Sequence, residues 1–562
     1  MKSTLTRLAL ALCLTGVSST LPTQAQSPAP VPATGVRFPQ IGETDARVWL
    51  TYLSSDLMQG RRVFTEGYGL AASYIADQLR VIGVKPLGDN GTYLQSISRR
   101  GYTITRGSSV TVDVNGAART FRDSDHVSFP LLAGGRQTLS FKTVVYAGDG
   151  SIPNGAASAA FRDSLVVYSS PAPAGTPAGG RRGGSAATAR SAALIHAGAA
   201  AVIALAPALP APAAARRAGR GASPEAPAAP RPDVITMQKV DARIAPTIVA
   251  DETFVDFLFS AAPTSVADAR ARVAKGETVS AVNLAGATVT IDVENAYQQV
   301  SLELTENVVG TVEGTDPTLK STYVFFGAHL DHVGYSSGGE APGRVNTPID
   351  QDRIWNGADD DGSGSTALLA IAKAFVTGPK PKRSVVFVWH AGEEAGLVGS
   401  IYMAENPVVP LDRIQVELNI DMIGRNRDDD PAQQNTLYLI GADRISTDLH
   451  NLLVSMNSAL PVPLTLDFEF NDAADPNSFY TRSDHYSYAS KGIPIAFFFT
   501  GTHPDYHANT DTVDKILFPK LVRIAQYVYE AGFSLADTDR VLQRDNRGAR
   551  SGRGFSGLLP RQ

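Results

Sequence analysis

The sequence predicts an α/β fold in which a mostly parallel sheet is covered by helices on both faces. From about residue 290 to residue 535, apolar runs such as "STYVFFGAHLD", "RSVVFVWHAGEE" and "IPIAFFFTG" alternate with helical stretches such as "GSTALLAIAKAFV". Strands that alternate with helices are typical of parallel sheets that are buried on both sides. These apolar runs also end in polar or charged residues, as strands do at the ligand-binding edge of such a sheet.

The first 25 residues have the pattern of a secretory signal peptide. Lys2 and Arg7 precede an apolar run over residues 8–17, and small residues before Gln26 resemble a cleavage site after Ala25. The apolar run is too short to span a membrane. We therefore expect export to the periplasm or the medium, with no integral membrane segment after cleavage.

Composition narrows the classes of partner and of metal site. Cys13 is the only cysteine and would leave with the signal peptide. The mature chain would then form no disulfide and no thiolate metal site, which leaves histidine and carboxylate ligands. A net charge of −5 argues against a nucleic-acid partner. The length of 562 residues exceeds one ordinary core and favours two domains.

The N-terminal part of the main domain is predicted to be helical. Residues 26–42 are a Pro/Ala-rich linker, for which disorder is expected. Residues 43–102 follow, and within them Ala71, Ile75 and Leu79 recur at helical spacing, with Gly83 as a stop signal.

Residues 103–285 are predicted to form a β-rich insert. Short β-like runs such as "SVTVDV" and "LVVYSS" are joined by a helix that leads into a buried strand, "ARSAALIHAGAAAVIALAP". Two Pro/Ala/Gly/Arg-rich stretches, 171–189 and 207–233, are expected to be flexible loops. The main domain resumes over 286–537, and residues 538–562 are predicted to be a basic disordered tail.

Five polar clusters follow or separate the apolar runs of the main domain. They are His329-Leu330-Asp331-His332, "GADDDGSG" (357–364), Glu393-Glu394, Asp421, and the pair His503 and His507. Because the carboxyl ends of strands line one crevice, we expect these clusters to converge. Each cluster alone has a simpler interpretation, such as a helix cap or a surface ion pair. Together, carboxylates and histidines in this number indicate a site for zinc or a similar divalent metal.

The ordered motifs "AHLDHVG", "NGADDDGSG", "AGEEAGLVGS", "NIDMIG" and "PDYHANTDT" resemble the zinc-dependent aminopeptidases with two co-catalytic metals, of the leucine-type bacterial kind. The resemblance covers roughly residues 43–100 and 290–535. It implies a phosphorylase/hydrolase-like fold, a three-layer α/β/α sandwich. The insert resembles a protease-associated domain through "LVVYSS" and "AALIHAGAAAVIAL", although its Ala/Pro/Arg-rich loops depart from that pattern.

The resemblance implies five ligands for two Zn²⁺ ions per chain, and other divalent metals would also fit. His329 and Asp421 would hold one ion, Glu394 and His507 the other, and Asp360 would bridge both. Alternation along an extended segment agrees with the choice of Asp360, because its two neighbouring aspartates would then point the other way. Of these, Asp361 would cap the following helix, and Asp359 would face solvent or a donor near the site.

The resemblance also implies roles for residues that do not bind metal. Glu393 matches the general base, which would transfer a proton from the attacking water to the leaving amine. Tyr506 would donate to the oxyanion, and Arg482 would position the substrate. Asp331 is expected to hold the ring of His329.

Three further polar residues are interpreted more simply. His332 is left without a role and is expected at the surface. His503 is read as a loop histidine. Asp511 is read as the N-cap of the last helix. Asp484 and His485 fit the family segment, but their roles stay open.

The predicted function is that of an exported metallo-aminopeptidase, which removes N-terminal residues from peptides with a hydroxide held between two zinc ions. Peptides with a free N-terminus are the expected partners, and the sequence gives no oligomeric state. A carboxypeptidase or dipeptidase on the same platform is the first alternative. A glutaminyl cyclase fits less well, because the intact five-ligand set suits two metals. An inactive metal-binding interaction module is the alternative from another class.

Overall fold

The computed structural model describes residues 41–150, 152, 161–169, 186–206, 231–262, 265, 267–268, 271–272 and 282–546. Several predicted segments lie outside the described residues. They are the signal peptide, the linker up to residue 40, most of the two Pro/Ala/Gly/Arg-rich stretches, and the tail from residue 547.

The helices of the described residues fall into an N-terminal pair, two in the insert and a larger set after residue 360. They are α1 (Glu43–Leu53), α2 (Glu66–Ile82), α3 (Ala186–His196), α4 (Glu252–Leu258), α5 (Gly364–Thr377), α6 (Val398–Glu405), α7 (Ala442–Ile445), α8 (Thr447–Ser458), α9 (His485–Ala489) and α10 (Phe518–Asp537). None of the helices described here is long and apolar enough to cross a membrane.

The strands range from two residues to the 17 residues of β14. They are β1 (Lys85–Pro86), β2 (Leu94–Thr105), β3 (Ser109–Val114), β4 (Ala117–Arg122), β5 (Val127–Ser128), β6 (Gln137–Phe141), β7 (Val144–Tyr146), β8 (Leu165–Ser169), β9 (Ala201–Leu205), β10 (Val234–Thr236), β11 (Thr247–Ala250), β12 (Val282–Asn283), β13 (Ala287–Val293), β14 (Ala296–Val312), β15 (Tyr323–His329), β16 (Gly334–Tyr335), β17 (Ile354–Trp355), β18 (Ser384–His390), β19 (Ile414–Ile420), β20 (Thr436–Ile440), β21 (Thr465–Asp467) and β22 (Ile495–Phe499).

The main sheet has the order β10-β2-β14-β18-β15-β19-β22-β20-β21, with β1 paired to β14. The four central strands β18, β15, β19 and β22 are parallel to one another. On either side of them, β14 and β20 run antiparallel to their central neighbours. The α/β prediction is confirmed, but apart from the parallel pair β20 and β21 at one edge, the parallel arrangement is confined to the centre. Outside it, β2 and β14 form a long antiparallel ribbon, which needs no crossover helix.

The central strands are buried on both faces, which explains their continuous apolar sequences. In β15, Val324 and Phe326 belong to one apolar core and Phe325 to another. Helices α5 and α10 pack on the first face of the sheet, and Phe325 meets Tyr488 of α9 on the second. This alternation leaves the ends of the strands as the place for polar groups.

The insert, together with β13 just after residue 285, forms two smaller sheets with a common core. Their strand orders are β12-β7-β8-β9-β11-β5 and β4-β3-β13-β6. Apolar residues of both sheets, such as Val112, Leu165 and Ile291, share that core. The predicted strands "SVTVDV" and "LVVYSS" fall on β3 and β8. The predicted helix-to-strand unit is α3 followed by β9.

The predicted helix end at Gly83 agrees with the structure, whereas residues 538–546 of the predicted disordered tail make defined contacts. Helix α2 ends at Gly83, whose φ of +92° is the left-handed conformation that glycine adopts most easily at a helix end. The first residues of the predicted tail lie against α8. The Asp545 carboxylate accepts from the Thr447 N–H at 2.9 Å, and Arg540 is paired with Asp448 at 2.6 Å.

Candidate metal centre

Four of the predicted ligands follow the central strands, at the edge where their carboxyl ends meet. His329 is the last residue of β15, and Asp421 comes directly after β19. Glu394 follows β18 by four residues, and His507 lies in the loop after β22. Because the four strands are parallel, these side chains meet at one edge of the sheet.

The Asp-rich segment meets this edge, and the carboxylate of its middle aspartate, Asp360, lies beside both predicted histidine ligands. Asp360 is extended, with φ −100° and ψ 102°. The Asp361 carboxylate instead accepts from the N–H groups of Gly364 (2.9 Å) and Met422 (3.1 Å), so it caps α5 as predicted.

Asp359 faces a donor near the site, the second of the two predicted alternatives, and not solvent. It is fully buried, and its Oδ1 accepts from the N–H of Gly424 at 2.6 Å. Its Oδ2 lies 3.2 Å from Nε2 of His503. The exposed alternative is therefore wrong, because Asp359 ties the loop to the segment after β19. His503 is buried against it.

The five predicted ligands form two groups that share Asp360. His329 Nε2 lies 3.2 Å from Asp360 Oδ1 and 3.6 Å from Asp421 Oδ1. His507 Nε2 lies 3.0 Å from Asp360 Oδ2 and 3.0 Å from Glu394 Oε1. Each oxygen of Asp360 thus faces its own histidine and its own second carboxylate. The other oxygen of Asp421 accepts from Ser483 Oγ at 2.8 Å, which fixes that carboxylate.

The hydrogen-bonding capacity of two predicted ligand atoms is not satisfied within the part of the chain that the structure describes, which favours a bound divalent metal. Among the described residues, Asp360 Oδ2 and Glu394 Oε1 are buried and have no hydrogen-bond partner, although both lie close to His507 Nε2. Burial lowers the pKa of His507, but Asp360 and Glu394 outweigh burial and raise it to about 11. The carboxylates of Asp360 and Glu394 therefore favour a positive charge between them and His507. Nitrogen and oxygen ligands in two adjoining groups are a set that zinc accepts.

His332 lies in the second group, so its expected surface position is wrong. The ring is fully buried, and Nδ1 lies 3.2 Å from Glu394 Oε1 and 3.8 Å from Asp360 Oδ2. Together these three side chains could hold a metal ion. The backbone N–H of His332 donates to the carbonyl of Arg61 at 3.2 Å, and Arg61 is distant in sequence. No local pattern around His332 signals that contact.

Glu393 and Asp331 lie beside the ligands, and the part played by Asp331 differs from the expected one. Burial raises the pKa of Glu393 well above its usual value. The ring of His329 is held through Nδ1 by the backbone carbonyl of Asp331 at 3.0 Å, while the nearer carboxylate oxygen of Asp331 is 3.7 Å away. That carboxylate instead accepts from the N–H groups of Glu393 (3.0 Å) and Glu394 (3.3 Å).

Tyr506 and Arg482 lie on the open side of the centre. Arg482 donates to Tyr506 Oη at 3.3 Å, and the tyrosine ring stacks on His507 at 4.0 Å between centroids. Both residues line a cavity of about 250 Å³ that reaches the five ligands. Phe479 and Phe499 form part of its apolar wall.

Asp511 supports the Asp-rich loop, so the N-cap reading is wrong. Its carboxylate accepts from the backbone N–H groups of Asp359 (2.9 Å) and Asp360 (3.1 Å). The last helix, α10, begins only at Phe518. The sequence "NTDTVDKI" resembles a cap locally, but the carboxylate is used by a loop about 150 residues away in the chain.

Comparisons with known proteins agree with the motifs. Residues 307–532 match the family described as Peptidase family M28. Among curated proteins, the chain is similar to a probable leucine aminopeptidase 1 from Trichophyton verrucosum, 26% identical over 236 residues, which covers 40% of this chain and 56% of that protein. It is also similar to leupeptin-inactivating enzyme 1 from Streptomyces exfoliatus, 29% identical over 203 residues, covering 35% and 36%.

The alignments span about half the length of the leucine aminopeptidases, or less for the Streptomyces enzyme. Among solved structures, the chain is similar to a zinc aminopeptidase from Bacillus subtilis, with 16% identity and a TM-score of 0.41, covering 92% of this chain and 99% of that one. The family match over residues 307–532 and the similarity to leucine aminopeptidases confirm the predicted resemblance to an aminopeptidase family.

Proposed function

We propose that this chain is an exported metallo-aminopeptidase that removes N-terminal residues from peptides with the help of two zinc ions. The observation that carries the proposal is the position of Asp360, whose two oxygens face two separate pairs of ligands. A carboxylate in that position can hold two metals about 3.5–4 Å apart. The family match and the aminopeptidase names of the relatives support the same activity.

His329 and Asp421 would hold one ion, and Glu394 and His507 the other, with Asp360 shared. His332 lies close enough to Glu394 to fix that carboxylate or to join its group. Bound there, two zinc ions would polarise the scissile carbonyl and activate a water molecule. The remaining steps depend on side chains of this chain.

Glu393 is the proposed general base. It lines the cavity beside Glu394, and its backbone N–H is fixed by the Asp331 carboxylate. From there its carboxylate would take a proton from the attacking water and deliver it to the leaving amine. The Tyr506 hydroxyl, held by Arg482, would donate to the oxyanion of the tetrahedral intermediate. Acidic groups around the cavity would suit the ammonium group of a free N-terminus.

The proposal extends to domain organisation and location. The peptidase domain would comprise residues 43–102 and 286–537 as a three-layer α/β/α sandwich, with residues 103–285 as an inserted protease-associated domain. Separate apolar cores support two domains, since one is built from residues 110–293 and another from residues 41–97 and 308–542. The first core includes β13, just past residue 285. Export is supported by the signal-peptide pattern of residues 1–25.

Aminoacyl-p-nitroanilides and their N-acetylated counterparts test this function when they are assayed side by side with the zinc-loaded protein. We expect hydrolysis of the free aminoacyl substrates and none of the acetylated ones. Stepwise loss of C-terminal residues from blocked peptides would instead favour the carboxypeptidase alternative. A protein that holds zinc but cleaves no member of either set would favour the binding module.

A further inference from the structure

A buried arginine from the N-terminal segment lies behind the metal centre. Arg61 is 1% exposed and ends the short helical segment Asp56–Arg61. Its guanidinium donates four hydrogen bonds, all to backbone carbonyls: to Leu330 (2.9 Å), Leu53 (2.7 Å), Asn356 (2.6 Å) and Gly357 (2.8 Å). Arginine is suited to this task because its planar fork presents several donors in a fixed geometry.

Two of these carbonyls belong to the loops that carry the ligands. Leu330 follows His329 directly, and Gly357 lies three residues before Asp360. The two loops come from different elements, the end of β15 and the entry to α5. One side chain thus fixes the backbone of both loops next to the atoms that would meet at the metal. The carbonyl of Arg61 also accepts from the N–H of His332 at 3.2 Å.

The backbone that carries Arg61 is itself closely packed against the same region. Gly60 has φ +66°, and a Cβ at that position would lie 2.3 Å from the carbonyl oxygen of Gly334 and 2.5 Å from that of Trp355. Only glycine allows this approach. The guanidinium therefore projects from a fixed position into the ligand loops.

The charge of Arg61 is directed at the acidic centre as a whole. Its four described hydrogen bonds go to neutral carbonyls. Its charge therefore acts on several carboxylates of the centre and, among the described residues, is not paired with a single one. Asp511, Asp360 and Asp361 stabilise the charged guanidinium electrostatically, against the cost of burial. Conversely, this fixed positive charge offsets part of the repulsion among the carboxylates.

We propose that Arg61 is a positioning residue of the metal centre, which holds the loops of His329 and Asp360 at the separation that metal binding requires. The inference builds on the proposed function only in taking zinc as the metal. It assigns a role in the site to a segment about 250 residues before the family match. Residues that support metal ligands typically change metal affinity by about 10- to 100-fold when they are replaced.

The test compares zinc affinity in Arg61→Lys, Arg61→Gln and a matched control, Arg383→Lys. Arg383 is equally buried and donates to Thr322 Oγ1 and to the Arg540 carbonyl, at the start of β18 and far from the ligands. Affinity is measured by competition with a chromogenic chelator, and the melting temperature of the metal-free protein is recorded for each variant.

We expect both Arg61 variants to bind zinc about 10- to 100-fold more weakly than the wild type, whereas Arg383→Lys changes affinity less than about twofold at a comparable loss of melting temperature. Equal affinity losses in Arg383→Lys, wild-type affinity in both Arg61 variants, or failure of both to fold would overturn the proposal. The assay is independent of peptidase activity. A wild type that binds zinc but cleaves no peptide would refute the proposed function and leave this comparison intact.

Discussion

Glu393 and Glu394 are neighbours in the chain, but only Glu394 lies within 3.0 Å of His507 Nε2. Adjacent side chains point in different directions, so one carboxylate can bind metal while the other faces the reacting water. Their backbone N–H groups both donate to Asp331, which fixes this division. Under the proposed function, these adjacent residues would take different tasks because their surroundings differ.

Glu393→Gln tests the base directly. Because glutamine is similar in shape but cannot accept the proton, we expect kcat to fall by about 10²–10⁴-fold with zinc content unchanged. The measurement is the rate on an aminoacyl-p-nitroanilide, together with zinc analysis of the same sample. Glu417→Gln is the control, because Glu417 is a buried glutamate of β19 outside the ligand set. The activity of this variant should stay near that of the wild type.

Glu417 also predicts a pH dependence of stability. It is fully buried, and among the described residues neither of its oxygens has a hydrogen-bond partner. Burial raises its pKa well above the usual 4.5. As pH rises past 4.5, the unfolded chain loses this proton first, so the free energy of unfolding falls until the folded group ionises.

We expect Glu417→Gln to match the wild type near pH 4 and to be more stable at pH 8 by at least about 1.4 kcal/mol, which corresponds to a tenfold difference in proton affinity between the folded and unfolded carboxyl. Urea unfolding of both proteins across this pH range measures the difference. A gap that stays constant with pH would mean that Glu417 does not titrate between the two states.

Among individual residues, those within sequence motifs could be predicted, whereas those whose contacts come from distant parts of the chain were missed. Asp360 could be chosen because its motif resembles that of the zinc-dependent aminopeptidases, and the alternation expected of an extended segment agreed with that choice. His332 and Asp511 could not be placed, because their partners are supplied by folding. Arg61 contacts backbone carbonyls, which carry no residue-specific signal at all.

At the scale of elements, the Asp-rich loop is held in place by hydrogen bonds to the loop after β22 and to the segment after β19. Asp511 holds the N–H groups of Asp359 and Asp360, while Asp359 holds the segment after β19. Three elements are thus joined around the bridging position. A change at one of these contacts should alter metal binding more than overall stability.

Asp511→Asn tests this support. An amide keeps one oxygen but loses the charge and one acceptor, so we expect zinc to bind about 10- to 100-fold more weakly. Asp316→Asn is the control, because Asp316 likewise accepts from two backbone N–H groups, those of Thr318 and Leu319, in an exposed turn. Zinc affinity is measured by chelator competition. Equal affinity in the two variants would show that Asp511 does not hold the Asp-rich loop in the geometry that metal binding requires.

Close packing between α10 and the sheet gives a prediction for stability. A Cβ at Gly532 would lie 2.0 Å from Cζ of Phe326, which is fully buried in the main core. Gly532→Ala should therefore lower the free energy of unfolding by about 1–3 kcal/mol and leave zinc affinity unchanged. At Gly69 of α2, an added Cβ would have no heavy atom within 4 Å. Gly69→Ala is therefore the control and should not destabilise the protein when both variants are compared by chemical denaturation.

The elements themselves were largely predictable. Periodicity located α2 and α5, and apolar runs located the central strands. The antiparallel direction of β14 and β20 was missed, because an apolar run has the same sequence pattern whichever way the strand is paired. The two sheets of the insert appeared only as short β-like runs, whose pairing depends on contacts between distant segments.

For the whole molecule, metal binding should couple to the stability of the main domain. The three tryptophans, Trp49, Trp355 and Trp389, all lie outside the insert, so their fluorescence reports on the main domain alone. A ligand that binds only the folded state stabilises it by about 4 kcal/mol at a thousand times its dissociation constant. We expect a chelator to lower the fluorescence melting temperature and added zinc to restore it. An unchanged transition would show that the metal contributes nothing to folding.

Anomalous diffraction at the zinc absorption edge, from crystals of the wild-type protein grown with excess zinc, tests the central claim most directly. Two peaks about 3.5–4 Å apart are expected, with one Asp360 oxygen facing each, one peak near His329 and Asp421 and the other near Glu394 and His507. A single peak in that position, or two peaks that do not share Asp360, would contradict the proposed bridging site and the two-metal chemistry derived from it.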